Sequence, residues 1–225
     1  MAGMNKKKIV TATALAGLVL WTVAPSKQPR TNRVLANAFP AKLLAAPSSC
    51  TTPAWPAEAR RYEVEGITLL HFHINADGGI EDARVAASSS WKMLDDAALA
   101  SLVKCKFKAN LDEAERDVTF PIQFVWTLAG PPSNRPQLVA GSCAASGRFA
   151  GFEEFNRAPS ADDGVLVRFL INPEGIPTGI KAEGADGALA AAVADYLGSC
   201  RFATDDSMPG EKTDTAFGRV LRKRP

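Results

Sequence analysis

Histidine is almost missing from this chain: His71 and His73 are the two in 225 residues. No Cys-x-x-Cys pair, no Gly-x-Ser-x-Gly elbow, no phosphate-binding glycine loop and no zinc motif occurs. Nucleophilic, redox and metal-assisted chemistry therefore lack their usual residue sets, and the sequence reads as a protein that is not an enzyme and carries no cofactor. A charge excess is also missing. The formal net charge is +2, which excludes a dominant nucleic-acid role, where a clustered basic face is needed. Arg219, Arg222, Lys223 and Arg224 form a short basic run at the C-terminus; such runs are usually solvated.

Long apolar runs are missing except at the N-terminus. Lys6, Lys7 and Lys8 precede a run of 16 residues, Ile9 to Ala24. This is the pattern of an export signal, slightly short of the roughly 20 residues that span a bilayer. Ala36-Asn37-Ala38 has cleavage-site chemistry but lies far beyond the run, and Ala24-Pro25-Ser26 carries an awkward proline. Two outcomes stay open, an uncleaved inner-membrane anchor and a cleaved signal. In both, the lysines stay cytoplasmic and the rest is exported, where disulfides are chemically allowed.

What is present is one cassette written twice. Gly66 to Phe107 reads as strand, turn at Ala76-Asp77-Gly78-Gly79, strand, alanine-rich helix and Cys105-Lys106-Phe107. Gly164 to Phe202 repeats that order, with its turn at Asn172-Pro173-Glu174-Gly175 and its end at Cys200-Arg201-Phe202. Each cassette has a cysteine upstream: Cys50 lies 55 positions before Cys105, and Cys143 lies 57 before Cys200. Four cysteines allow three pairings; the repeat selects Cys50–Cys105 and Cys143–Cys200.

Within the first cassette, Leu70, Phe72 and Ile74 form one face of a period-2 strand. Asp77-Gly78 is a hairpin turn. Pro56 opens a short helix. Met93 to Val103 is helical, with Ser88, Ser89 and Ser90 as candidate caps and Asp95 and Asp96 where the helix dipole favours anions. Val118 to Leu128 is a last strand. The fold class expected is α+β, with two small domains, each a three-stranded antiparallel sheet packed by helices. The partition is a signal or anchor (1–25), a linker (26–49), a first domain (50–129), a Pro/Gly-rich linker (130–136) and a second domain (137–225). In the second domain the entry segment Phe149 to Pro159 lacks the proline-helix pattern. A final strand within Ala216 to Arg222 has only a weak signal.

The first domain, in order, carries Pro53-Ala54-Trp55-Pro56-Ala57-Glu58-Ala59-Arg60, the hairpin from Gly66 to Gly78, Ser88-Ser89-Ser90, Leu94-Asp95-Asp96-Ala97-Ala98-Leu99, Cys105-Lys106-Phe107 and Phe120-Pro121-Ile122-Gln123-Phe124. This resembles the C-terminal domain of the TonB family over about 80 residues, and the second domain resembles a degenerate copy, matching in the hairpin, helix and Cys-x-Phe elements. Ser90 stands where the family has glycine, and Ala109 near its usual proline. The resemblance implies a periplasm-facing module. It would capture a short segment of an outer-membrane transporter by strand addition, in energy-coupled transmembrane transport. A transducer of this family has a long proline-rich spacer and a histidine in its anchor. Here the spacer, 26–49, reaches at most about 80 Å at ~3.3 Å per residue, and Ile9 to Ala24 has no histidine.

The candidate partner-binding residues are those of the last strand: Val118, Thr119, Phe120, Ile122, Gln123, Phe124, Val125 and Trp126, with Arg116, Asp117 and Gln123 setting register. A sheet edge carries unpaired N–H and C=O groups that accept an extended peptide. Two other readings stay open: the edge is covered by the second domain, the two sheets joining edge to edge, or the repeat serves self-association in the envelope. His71 and His73 share one strand face, yet no third ligand is in sight; they read as part of a polar outer face opposite Leu70, Phe72 and Ile74, and no metal site is expected.

Overall fold

In the computed structural model the described residues are 34–35, 38–154 and 164–223. The expected signal run lies outside them. The first strand, β1 (Val34–Leu35), is followed by α1 (Ala57–Arg61), β2 (Gly66–Ile74), β3 (Ile80–Ala87), α2 (Lys92–Leu102), α3 (Glu113–Arg116) and β4 (Val118–Trp126). β2 is central, antiparallel to β3 and β4, and β1 adds to the far side of β4 in parallel. The period-2 pattern of β2 buries Leu70, Phe72 and Ile74 completely. Against them α2 lays Leu94, Ala98 and Leu102, spaced four apart on one helix face.

The chain continues through two short strands, β5 (Ser133–Asn134) and β6 (Gln137–Leu138), to β7 (Phe149–Glu154), β8 (Gly164–Ile171), β9 (Pro177–Ala182), α4 (Gly187–Gly198), β10 (Phe202–Ala203), β11 (Glu211–Lys212) and β12 (Thr215–Arg222). The second large sheet has the order β7-β12-β8-β9 and is antiparallel throughout. It has one strand more than the three expected, because Phe149–Glu154 is a strand where no regular element was legible. The short strands pin the connection: β5 pairs with β11 and β6 with β10.

The two halves share detail beyond element order. Gly78 and Gly175 both sit at positive φ, +75° and +74°, and a Cβ on either would strike the carbonyl oxygen of Phe107 or Phe202. Phe107 N–H donates to the Gly78 carbonyl, and Phe202 N–H to the Gly175 carbonyl, at 2.8 and 2.9 Å. Asn75 and Asn172 cap the two turns through their side-chain oxygens. Both expected disulfides are formed.

The sheets do not join edge to edge. β8 is buried on both faces. Val165, Val167, Phe169 and Ile171 belong to the core under α4, while Leu166 and Leu170, with Phe217 from β12, pack into the core of the first half. Such two-sided burial gives a near-continuous apolar strand. Polar contacts tie the same junction. Arg168, 7% exposed, is held by Glu58 (2.7 Å) and Glu183 and lies over the Tyr62 ring. The Tyr62 hydroxyl donates to the Gly179 carbonyl at 2.7 Å. Arg61 pairs with Asp214 through two hydrogen bonds, which hold the Asp214 carboxyl below the usual carboxylate range. Arg135 pairs with Glu63 at 3.1 Å.

Candidate functional site

The nominated residues all lie on β4. Its register runs from Phe72 opposite Phe120 to Gly66 opposite Trp126. Alternation splits the side chains between two faces. Phe120 and Trp126 are buried in the core, and Val118, Ile122 and Phe124 pack against it. On the other face Gln123 is exposed and Val125 is 60% exposed, beside its register partner Ile67 at 52%. Thr119 on that face is fully buried and bonded to His73 Nε2. Its hydroxyl is engaged within the sheet, and its backbone lies on the β1 side of β4.

His73 corrects the sequence reading. Period-2 alternation puts it opposite Phe72 and Ile74, as expected, yet it is 5% exposed rather than solvated. It faces Thr119, with the Asp82 carboxylate at 3.8 Å from Nδ1. His71 is half-buried. No group of three or more His, Cys, Asp or Glu among the described residues could hold a metal ion.

Asp95 likewise has a more specific place than a helix dipole gives it. Its buried carboxylate accepts from the Thr68 hydroxyl, the Ser88 hydroxyl and the Ser89 N–H. Trp126 Nε1–H donates to the same Thr68 hydroxyl. The serine loop, the start of α2 and the end of β4 are thereby one network. Ser88 and Ser89 act through it rather than as helix caps; the residue before α2 is Trp91, with no side-chain cap. Arg116 ends α3, and Asp117 leads into β4.

On its outer side β4 meets only β1 among the described strands, at Val118 and Thr119. From Phe120 to Trp126 no described strand lies beyond it. Pro121 fits that position, because proline has no N–H for a ladder and is confined to edges. In the second half the corresponding side of β12 is filled: β7 pairs with it from Gly218 to Arg222. Among the described residues one edge is unpaired over most of its length, and its counterpart is paired with β7.

Residues 51–128 match the family model of the Gram-negative bacterial TonB protein C-terminal. A solved structure, the solution NMR structure of the Pseudomonas aeruginosa TonB CTD, is 23% identical over 36% of this chain and 82% of that one, with a TM-score of 0.31. No curated protein matches.

Proposed function

We propose that this is an exported, periplasm-facing protein that binds an extended segment of an outer-membrane transporter, or of another envelope protein, by strand addition along Phe120–Trp126. The open outer side of β4, in the region matched by the TonB C-terminal model, is the observation that carries this reading. An added strand satisfies backbone groups that an edge otherwise leaves to water. Gln123 and Val125 are exposed on one face to meet its side chains. Residues 137–225 are a degenerate second copy, supported by the shared turn, Cys-x-Phe and disulfide geometry. That copy has lost the open edge to β7 and braces the first through β8. The N-terminal run holds the protein at the inner membrane unless it is cleaved.

The test is site-specific photocrosslinking in the native cell with the probe at Gln123, followed by mass spectrometry. An outer-membrane β-barrel protein in the adduct is the expected result. Adducts confined to a second copy of this chain would shift the reading to self-association. Adducts confined to residues 137–225 would mean that the edge is already covered.

A further inference from the structure

An open cleft of about 650 Å³ lies between the two halves, within the size range of small-molecule sites, about 300–1,000 Å³. One wall is the serine loop and the start of α2. The other is β8, the turn after β9 and the end of β12. The carboxylates on its lining are already committed. Asp95 accepts three hydrogen bonds, Asp96 holds the Lys92 ammonium at 2.6 Å, and Glu183 holds Arg168. The two arginines on the opposite wall have no carboxylate among the described residues. Arg219 donates from Nη1 to the Gly164 carbonyl at 3.3 Å, and its Nε is sealed from solvent without an acceptor. Arg222 is exposed at the same strand end.

We propose that this cleft binds a small organic anion, its carboxylate or phosphate held by Arg219 and Arg222 and its apolar body packed on Val85, Val165 and Leu189. Guanidinium groups suit both anions, since their forked donors match paired oxygens. An anion between the two arginines meets guanidinium N–H groups that have no carboxylate partner among the described residues. The cleft is also preformed. Arg168 with its two carboxylates, the Tyr62–Gly179 bond and the edge-on packing of Trp91 against Phe217 at 5.7 Å fix its walls. A fixed site spends little binding energy on ordering. This assignment does not depend on strand addition at β4.

Calorimetric titration of the full chain tests it, with three probes: N-acetyl-leucine, the neutral N-acetyl-leucinamide and inorganic phosphate. An anion is expected to bind, with the amide about tenfold weaker or worse, and added salt is expected to weaken binding. Arg222→Gln and Arg219→Gln are each expected to lower affinity about tenfold. Arg222 is exposed, so its variant keeps the fold; a thermal melt checks Arg219→Gln. Binding of the acid alone assigns a carboxylate, and arginine-dependent binding of phosphate assigns a phosphate group. Equal binding of acid and amide, unchanged affinity in both variants, or no binding of either anion at millimolar concentration overturns the proposal.

Discussion

Arg168 gives the sharpest test of how the halves are joined. It is 7% exposed, between Glu183 at 16% and Glu58 at 48%. Arg168→Leu leaves both carboxylates without their cation. Glu58 keeps water, so its share is that of a surface pair, about 1 kcal/mol or less. Glu183 keeps less, 16% exposed on the cleft wall, and its stranded charge falls at the low end of the range for a buried pair broken on one side, about 3–5 kcal/mol. The expected loss is therefore about 3 kcal/mol or more. Adding Glu183→Leu removes the stranded charge, and replacing a whole buried pair by apolar groups is often neutral. The double variant is expected to return to within about 1 kcal/mol of the parent.

Urea unfolding of the full chain measures this, followed by circular dichroism for the whole fold and by tryptophan fluorescence, to which the junction residue Trp91 contributes. In the parent the two signals should fall together, because Leu166, Leu170 and Phe217 of the second half pack into the first-half core. Arg168→Leu should lower the midpoint and separate them. A loss under about 1 kcal/mol, the value of an exposed pair, would refute the argument, and so would a double variant no more stable than the single one. Either result would mean that the junction around Arg168 is wet and that this ion pair does not hold the halves together.

Three further outcomes are expected. Replacing Cys50 and Cys105 by serine opens a link across 55 positions, a loss of about 4 kcal/mol in the chain-entropy model, read as a shift of the urea midpoint. The Asp214 carboxyl is held low by its hydrogen bond to Arg61. Its contribution is therefore present above the unfolded value, about 3.9, and is lost as pH falls through the lower native value. Both partners are about half exposed, so Asp214→Asn should cost about 1 kcal/mol or less at pH 7 and progressively less in acid, measured by melting across pH. Gln123→Pro should weaken the crosslinked partner about tenfold or more, as expected for about one lost hydrogen bond and a displaced strand, with little change in melting temperature. Residues two apart on a strand turn their N–H to the same side, and Pro121 shows that this side tolerates a missing donor. Unchanged binding by Gln123→Pro would remove the β4 edge as the site.

Much of the first half was legible because its cues are local. Leu70, Phe72 and Ile74 alternate, Asp77-Gly78 turns, and Leu94, Ala98 and Leu102 mark a helix face. The cysteine pairing needed only the repeat. α3 was missed although Asp112 and Glu115 carry a complete capping box; at four residues the helix is too short for periodicity to register. β7 was missed because Phe149 and Phe152, its two buried residues, are three apart and Gly151 lies between them. That spacing breaks period 2, and the register shift at Leu221/Arg222 accommodates the irregularity. His73 was misread because alternation assigns a face and says nothing of what covers it. The junction did leave a trace: Val165 to Ile171 is apolar at almost every position, the mark of burial on both faces. The lone Arg168 within that run was the signal of a buried ion pair.

The unresolved choice at the N-terminus bears directly on the open edge. β1 is Val34–Leu35, and Ala36-Asn37-Ala38 follows it at once. If the chain stays anchored through Ile9 to Ala24, β1 remains attached and pairs with Val118 and Thr119. A partner strand then has Phe120 to Trp126. If a protease cuts after Ala38, β1 leaves with the signal, and the edge extends to all nine residues of β4. The same cut frees the protein from the membrane. Anchored and released forms would thus differ both in reach and in length of usable edge. The two residues gained, at roughly 0.5–1.5 kcal/mol per hydrogen bond, favour tighter capture by the released form. N-terminal sequencing of the exported protein, set beside the partner affinity of each form, decides this. Equal affinity of the two forms would show that β1 yields to an incoming strand at no measurable cost.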